Sequence, residues 1–515
     1  MRNSGYNDKY STKEKDIAYE EGDIDYNENR LIVNQKSGGK FHSKWLSMMY
    51  PRLKVAKDLL TENGVIFISI DNNEIHNLRK VCDEILGEEN FIEEIIWKNK
   101  YGSGAQTKGF IEVHEYILCY SKLPITSLSS ELNESERKKY IKRDEKFETR
   151  GGYRTQPLMT KSLGDRENLV YPIYYKGVEI LPDKQWVWSK ERLEQAIKDN
   201  TVEFREKSDG FYTVEAKKYL YDEYGNIRRG KPVSILNGPF NQEGTDENRK
   251  LFGDKTPFDF TKPSELIKYL LKIEMNDEKD MGYTVLDFFS GSSTTADAVL
   301  QLNAEDGGNR KFIMIQTNEE KCDEKSQAFK LGFKNICEIG KERIRRAGEK
   351  TKEENKDKER IENLDIGFKV FKVGETNIRW FSDAIKSNEM EVDEAKLLDK
   401  DLLDFNPGYT DIDVLYEILL RHRDIPLSTN VEKLEKIGNR TYIFADTVVV
   451  CLDVTITEEM IDSIAAIEPL PTKIIFRDSA FGADISLKEN TMIRLQAQMK
   501  KQSGIEKKAY RIEFI

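Results

Sequence analysis

The stretch from Val285 to Asn303 constrains the fold of this chain more than any other part of the sequence. An apolar run that begins at Tyr283 predicts a buried strand, which ends in the acidic Asp287 and is followed by small residues. After this turn, apolar residues recur at helical spacing, at Ala296, Val299, Leu300 and Leu302. A strand, a small-residue turn and a helix N-terminus together predict a ligand cradle at the carboxyl end of a strand in an α/β sheet.

The residue types of this turn restrict the ligand that it would take. Gly291 allows a ligand to approach the backbone closely, and four hydroxyl residues are available to cap the helix, namely Ser292, Ser293, Thr294 and Thr295. The carboxylate of Asp287 would repel a phosphate but suits a cationic or hydroxyl-bearing ligand. The alternative is a structural turn that binds nothing, which is common in α/β proteins.

Length and composition predict a soluble, strongly charged globular protein. The 515 residues suggest two to four domains, and charged residues make up 34% of them. No apolar run approaches the roughly 20 residues that span a bilayer, and the N-terminal residues lack the apolar core of a signal peptide. We therefore expect a cytoplasmic protein that does not interact with membranes.

Cysteine spacing and net charge argue against disulfides, metal sites and indiscriminate nucleic-acid binding. Five cysteines lie far apart in the sequence, at positions 82, 119, 322, 337 and 451. Their spacing predicts reduced residues, mostly in the core, and neither a disulfide framework nor a metal site. The net charge of −11 and the pI near 5.4 argue against indiscriminate nucleic-acid binding, although a locally basic cleft stays compatible with them.

Helical and strand patterns alternate through the first 124 residues. Apolar spacing predicts a helix from about Trp45 to Leu60, a buried strand at Val65 to Ile70, a second helix starting after Asp71, and two further strands at residues 92–97 and 115–120. Asp71 or Asn72 is expected to cap the second helix, and Asp71 alternatively lies near a ligand. The alternation predicts a parallel or mixed sheet.

Residues 125–250 differ in character, because periodicity weakens and cationic and aromatic residues interleave: Arg150, Tyr153, Arg154, Trp186, Trp188, Arg192, Arg205 and Tyr212. Aromatic side chains stack on bases and arginine reads guanine edges, so this mixture suits nucleic acid. The alternative is an ordinary charged insertion with a small core, which composition alone favours. After it, α/β character resumes up to a highly charged segment at residues 349–363, beyond which a separate module begins.

Several blocks of the sequence resemble the modification subunit of type III restriction-modification systems, an adenine-N6 DNA methyltransferase of the permuted class. Asp287-Phe288-Phe289-Ser290-Gly291-Ser292-Ser293-Thr294-Thr295 resembles the Asp-x-Phe-x-Gly-Ser-Gly-Thr-Thr motif that binds S-adenosylmethionine, with Ser293 in place of a glycine. Further matching blocks lie at residues 41–53, 64–71, 258–263, 339–348 and 474–481. The blocks follow the order of the family from about residue 3 to the C-terminus.

The resemblance implies a Rossmann-like α/β methyltransferase fold with an inserted target-recognition region and a separate α+β C-terminal module. The implied parts are the catalytic half (1–124), the target-recognition insertion (125–250), the cofactor-binding half (251–348), a charged linker (349–363) and a C-terminal module for partner or dimer contacts (364–515). It also implies S-adenosylmethionine as cofactor, duplex DNA as substrate, a homodimer, and a helicase-nuclease restriction subunit as partner.

The resemblance further implies a set of cofactor-binding residues: Asp287, Phe289, Gly291, Ser292, Glu319, Lys262 and Pro263. Turn scaffolding, a solvated acid at Glu319 and a simple helix start with proline near its first position are the alternatives for these residues. The family places a catalytic Asp-Pro-Pro-Tyr just before an Asn-(Ser/Thr)-Gly. Here Asn3-Ser4-Gly5 matches the tripeptide, and the tetrapeptide is absent from the sequence, so no catalytic residue is assigned.

That departure leads us to expect an N-terminally truncated methyltransferase with weak or no activity alone, because the target amine would not be held against the methyl donor. The strand that carries the motif would also be absent, which predicts an unpaired edge on the strand ending at Asp287 or a replacement segment. A non-catalytic remnant that retains DNA recognition or partner binding is the alternative function. A methyltransferase for RNA or a small molecule is a third, against which the insertion and the C-terminal module argue.

Overall fold

A computed structural model describes residues 42–102, 109–161, 164–208, 210–254, 256–258, 261–275, 282–317, 322–358, 361–379, 400–422, 425–481, 485–503 and 511–515. The chain divides into two compact units, Met1–Ile366 and Gly367–Ile515. The division lies just beyond the charged segment at 349–363. A long helix continues into that segment as far as Glu354.

The elements of the first unit alternate between strands and helices at both ends and are strand-rich in the middle. The strands are β1 (Val65–Ile70), β2 (Phe91–Lys98), β3 (His114–Ser121), β4 (Leu128–Ser129), β5 (Tyr153–Pro157), β6 (Met159–Thr160), β7 (Ile173–Tyr175), β8 (Val178–Ile180), β9 (Gln185–Trp186), β10 (Val202–Glu206), β11 (Tyr212–Tyr219), β12 (Ile235–Asn237), β13 (Glu274–Met275), β14 (Thr284–Asp287) and β15 (Lys311–Met314). The helices are α1 (Ser43–Leu59), α2 (Ile75–Leu86), α3 (Glu134–Arg137), α4 (Phe147–Arg150), α5 (Lys190–Lys198), α6 (Asn241–Phe252), α7 (Ser264–Leu271), α8 (Thr294–Asp306), α9 (Gln327–Lys330) and α10 (Ile336–Glu354).

A mixed sheet in the order β1-β3-β2-β12 forms the first layer of this unit. Strand β3 is antiparallel to both β1 and β2, whereas β12 is parallel to β2. Helices α1 and α2 cover one face, where Leu53, Leu78 and Tyr120 are fully buried. Helix α7 packs on the other face through Leu266 and Leu270. The predicted helices and the mixed sheet are therefore confirmed. The predicted cap of α2 is wrong, because its N-cap is Glu74.

Strands β14 and β15 form a parallel pair joined by helix α8, as a parallel pair requires a crossover connection. Helix α8 is enclosed by its neighbours, and every residue from Thr294 to Leu300 is buried. Among the described residues, β14 has β15 as its one hydrogen-bonded neighbour. Phe288, directly after β14, packs against the core under α1 and α2.

The insertion has a core of its own beside a three-stranded antiparallel sheet, in the order β10-β11-β5. Leu158, Trp186, Leu193 and Val214 are almost completely buried in this core. Trp186 is fully buried and its indole N–H donates to the carbonyl of Tyr171 at 2.8 Å. Part of the aromatic content of the insertion is therefore structural.

The second unit is a five-stranded mixed sheet with helices on both faces. Its strands are β16 (Val431–Lys433), β17 (Thr441–Phe444), β18 (Val448–Cys451), β19 (Lys473–Phe476) and β20 (Arg511–Phe514), in that spatial order. Its helices are α11 (Lys400–Asp404), α12 (Asp411–Arg421), α13 (Glu458–Ala465) and α14 (Ile485–Ser503). Alternate residues of β17 and β18 enter opposite cores, Phe444 on the α12 side and Ile443 on the α13 side, as the two-residue period of a strand requires.

The block at residues 474–481 has a structural role in this unit. Arg477 is fully buried and donates to Asp404 at 3.0 Å and to the carbonyl of Leu452 at 3.2 Å, which ties α11 to the end of β19. Phe476 and Phe481 pack edge to face in the core, with ring centroids 5.8 Å apart.

The described parts of the chain contain no helix that is long and apolar enough to cross a membrane. All five cysteines are free, and three of them, Cys82, Cys119 and Cys451, are buried as predicted. Burial raises the pKa of the Cys82 thiol to about 12, so this residue stays a neutral packing group at physiological pH.

Candidate functional site

The carboxylate of Asp287 closes the turn between β14 and α8. Its Oδ1 accepts a hydrogen bond from the backbone N–H of Phe289 at 3.1 Å, and its Oδ2 accepts one from Thr295 Oγ1 at 2.6 Å. Asp287 thereby joins the end of the strand to the first turn of the helix. Each carboxylate oxygen keeps further capacity to accept hydrogen bonds.

Gly291 and the segment after β15 shape the centre of the turn. Gly291 has a φ of 49° and its N–H donates to Gln316 Oε1 at 2.8 Å. The N–H of Ser290 donates to the carbonyl of Ile315 at 3.2 Å. The turn is therefore held against the carboxyl end of the neighbouring parallel strand.

The four hydroxyl residues do not cap α8 as the sequence analysis predicted. The N-cap residue is Ser293, and its side chain makes no capping hydrogen bond. The hydroxyl of Thr295 donates to Asp287, while those of Ser292 and Thr294 accept hydrogen bonds from the guanidinium of Arg343. These hydroxyls therefore hold the turn through distant partners rather than through the helix N–H groups.

Ser293 adopts the left-handed conformation, with a φ of 60° and a ψ of 38°, at the position where the resembled motif has glycine. A residue with a side chain is less stable in this backbone conformation than glycine, by roughly 1 kcal/mol. We expect Ser293→Gly to raise the free energy of unfolding by about 0.5–1 kcal/mol, measured by denaturant unfolding. Ser292→Gly is the control and is expected to lower it, because Ser292 Oγ accepts from Arg343. A loss of stability in Ser293→Gly would contradict this account of the turn.

Exposed apolar side chains lie beside the polar turn. Phe289 is 42% exposed, and Ile313 and Ile315, at the end of β15, are 51% and 49% exposed. A polar turn next to an open apolar surface suits a ligand with one polar part and one flat apolar part.

Lys262 and Pro263 lie on a segment that helix α6 supports. Lys262 Nζ donates to Glu115 Oε2 at 3.1 Å and lies 5.1 Å from the centroid of the Trp97 ring. Pro263 is buried and occupies the N-cap position of α7, rather than the first helical position. Asn248 Nδ2 donates to the carbonyl of Phe258 at 3.0 Å and to Thr261 Oγ1 at 2.6 Å.

Two glycines allow helices to approach these segments closely. A Cβ on Gly244 of α6 would lie 2.2 Å from the carbonyl oxygen of Thr261 and 3.0 Å from the backbone nitrogen of Pro263. A Cβ on Gly340 of α10 would lie 2.6 Å from Ser293 Oγ. Sequence reasoning identified neither role, although Gly340 lies in one of the blocks that carried the resemblance.

Two further positions were predicted to lie near the ligand, Glu319 and Asp71. Glu319 lies outside the described residues. Asp71 is exposed and its Oδ1 accepts the backbone N–H of Asn73 at 3.0 Å, so it forms a local turn after β1.

Comparison with known proteins assigns this arrangement to a family. A family model for DNA methylases, of the N6 and N4 methyltransferase type, matches residues 9–328. The match covers more than half of the chain and includes Lys262, Pro263, the turn after β14 and the whole insertion. The chain belongs to this DNA methylase family.

Curated relatives agree with this assignment. The chain is 35% identical over 339 residues to the StyLTI Mod subunit, a type III restriction-modification enzyme of Salmonella typhimurium. The aligned region covers 65% of this chain and 49% of that protein. It is 32% identical to the EcoPI Mod subunit of Escherichia phage P1, with 70% and 60% of the two chains covered. It is also 31% identical to the type II methyltransferase M.KpnI of Klebsiella pneumoniae, with 63% and 79% covered.

The chain spans about half the length of the first of these relatives. Among solved structures, a DNA modification methylase of Thermus thermophilus, complexed with S-adenosylmethionine, is 12% identical. That comparison covers 62% of this chain and 84% of the other, with a TM-score of 0.27.

Proposed function

We propose that this chain is a DNA adenine-N6 methyltransferase subunit of a type III-like restriction-modification system, which uses S-adenosylmethionine as methyl donor and acts on duplex DNA. The observation that carries the proposal is the turn from Asp287 to Thr295 at the carboxyl end of β14. Its carboxylate and the neighbouring apolar surface suit a nucleoside that carries an amino-acid group. The turn lies within the span that matches the DNA methylase family.

When bound, S-adenosylmethionine supplies an electrophilic methyl group on a sulfonium centre. The residues of the chain bind and orient it. Asp287 accepts from an ammonium or hydroxyl group of the ligand, and Phe289 and Ile313 offer an apolar surface for the adenine ring. The proposed set is completed by Gly291, Ser292, Lys262, Pro263 and Glu319. Of these, Lys262 lies beside Glu115 and Trp97.

The proposed substrate base is an adenine flipped out of the duplex, because an amino group inside a base pair is not accessible to a methyl donor. The choice of adenine rather than cytosine rests on the resemblance to type III modification subunits. The same resemblance leads us to propose two partners, a restriction subunit and a second copy of this chain. The similarity to Mod subunits of type III enzymes supports the restriction subunit.

A basic cluster on the insertion supports DNA as the substrate. It consists of Lys218 and three nearby arginines, Arg154, Arg192 and Arg228, and Trp188 lies beside two of these cations. The Cζ of Arg192 lies 4.5 Å, and the Nζ of Lys218 5.5 Å, from the centroid of the Trp188 ring. Partial burial and then the nearby arginines lower the pKa of Lys218.

Two cations of this cluster face each other across neighbouring strands. Lys218 on β11 lies opposite Arg154 on β5, so two like charges are cross-strand neighbours, which is unfavourable without a counterion. None of the four cations forms an ion pair with a carboxylate within the described part of the chain. Several cations without a described carboxylate partner, two of them beside an aromatic ring, fit a polyanion with stacking bases, even on a protein of net charge −11.

We expect the double substitution Arg154→Gln/Arg192→Gln to weaken duplex binding and to reduce the slope of log K against log salt by about 2, since each phosphate contact contributes about 0.9. Fluorescence anisotropy over a salt series measures this. Lys138→Gln/Lys161→Gln is the charge-matched control, because both lysines are already paired, with Glu134 and Asp183. Equal slopes in the two variants would contradict a specific role for the basic cluster.

The test of the proposed function is methyl transfer from S-adenosylmethionine carrying a tritiated methyl group to duplex DNA, followed by nucleoside analysis. The full chain is used alone and together with a peptide that carries the Asp-Pro-Pro-Tyr strand of the resembled family. We expect label in N6-methyl-2′-deoxyadenosine from duplex DNA, most strongly with the added strand. Label in cytosine, label in RNA only, or no label under either condition would contradict the proposal.

A further inference from the structure

The two segments proposed to hold the cofactor are joined by a closed ring of buried and partly buried polar groups, and Arg343 of α10 contributes its central cation. Arg343 is fully buried. Its Nη1 donates to Thr294 Oγ1 at 2.9 Å and to Ser292 Oγ at 3.3 Å, both on the turn after β14. Its Nε and Nη2 donate to Asp297 Oδ2 at 3.2 and 3.0 Å.

The other half of the ring reaches the segment of Lys262 and Pro263. Arg343 Nη2 lies 3.5 Å from Glu247 Oε2 on α6. The Glu247 carboxylate accepts from the backbone N–H of Ser264 at 3.0 Å and from its hydroxyl at 3.0 Å. Ser264 directly follows Pro263 and starts α7.

Gln301 of α8 closes the ring. Its Nε2 donates to Asp297 Oδ1 at 2.8 Å and to Ser264 Oγ at 3.3 Å. Side chains, together with the first N–H of α7, therefore make every link of the ring. The ring runs from Arg343 through Asp297, Gln301, Ser264 and Glu247 back to Arg343. A shift of either segment breaks at least one link.

A guanidinium is the one side chain suited to the centre of this ring. Its planar fork presents donors in several fixed directions at once, whereas an ammonium is a point charge. The ring also brings the two carboxylates Asp297 and Glu247 together, and burial raises the pKa of Glu247. Removing the cation would leave the buried Asp297 and the partly buried Glu247 without a compensating charge.

We propose that Arg343 is a positioning residue that sets the spacing between the turn at Asp287–Ser292 and the segment at Lys262–Pro263, and so the affinity for S-adenosylmethionine. The inference rests on the proposed cofactor site. Arg343 itself contacts the turn through Ser292 and Thr294, and helix α8 through Asp297.

The test compares S-adenosylmethionine binding to the full chain and its variants by calorimetry, below the unfolding temperature of each. Arg343→Lys keeps the charge but loses the fork, and we expect the Kd to rise about 10-fold. Arg310→Lys is the matched control: Arg310 is also buried and forms an ion pair at 2.8 Å with Asp306, the last residue of α8, at the end of the helix away from Ser292 and Thr294. It is expected to lose stability with an unchanged Kd.

A second variant covers the case in which Arg343→Lys does not fold. Thr294→Val removes one acceptor of Arg343 without leaving a buried charge unpaired, and a rise in Kd of a few fold is expected. In the double variant Thr294→Val/Arg343→Lys the two effects should not add, since both remove the same contact. An unchanged Kd in folded Arg343→Lys or in Thr294→Val, or an equal rise in Arg310→Lys, would overturn the inference. Wild-type protein that does not bind at all would instead overturn the proposed function.

Discussion

Replacing Gly244 with alanine is expected to destabilise the first unit and to weaken S-adenosylmethionine binding together. The added Cβ would lie 2.2 Å from the carbonyl oxygen of Thr261, and a backbone atom cannot rotate away as a side chain can. The segment that carries Lys262 and Pro263 must therefore move. Overpacking of this kind costs about 1–3 kcal/mol, against about 1 kcal/mol gained from the helix propensity of alanine.

Thermal unfolding and calorimetry on the same protein measure the two effects of Gly244→Ala. The control is Gly348→Ala on α10, where the added Cβ meets the side chain of Ile366 at 2.9 Å rather than a site segment. We expect the control to change the unfolding temperature and leave the Kd unchanged. A Gly244→Ala protein with wild-type affinity would show that helix α6 does not position the Lys262 segment for the ligand.

Replacing Asp287 with asparagine is expected to raise the Kd for S-adenosylmethionine by about 10- to 100-fold, which corresponds to a hydrogen bond to a charged group worth about 1.5–3 kcal/mol. An asparagine oxygen can still accept from Thr295 Oγ1 or from the N–H of Phe289, so the turn is largely retained. The substitution thus removes mainly the negative charge, and calorimetry detects the change in affinity.

Thr295→Val is the control for Asp287→Asn. It removes the hydroxyl that donates to Asp287 Oδ2 and keeps the carboxylate. If Asp287 only closes the turn, the two variants should lose affinity equally. If the carboxylate contacts the ligand, as we propose, Asp287→Asn should lose far more.

Local pattern was sufficient to predict the main elements near the site. Strand β1 has the predicted bounds, and α8 begins at Thr294, within the run of small residues that predicted its start. These elements were predictable because periodicity and turn residues depend on neighbours in the sequence. The same reasoning placed Trp186 and Trp188 in one group, whereas the first is buried in the core and the second lies in the basic cluster.

Pairings between distant residues could not be predicted in this way. The hydroxyls of Ser292 and Thr294 suggested a helix cap, but their partner is Arg343, about 50 positions later in the chain. Local capping is a common use of serine and threonine, and a tertiary partner overrode it here. One signal was present in the sequence: the resembled motif has glycine at position 293, which is consistent with the left-handed φ of 60° at that residue.

The most direct test of the central claim is calorimetric titration of the full 515-residue chain with S-adenosylmethionine. The account predicts a single site with a measurable Kd that Asp287→Asn weakens and Thr295→Val largely keeps. A folded wild-type chain, shown by a cooperative unfolding transition, that releases no heat and gains no thermal stability with the ligand would contradict the proposed cofactor site.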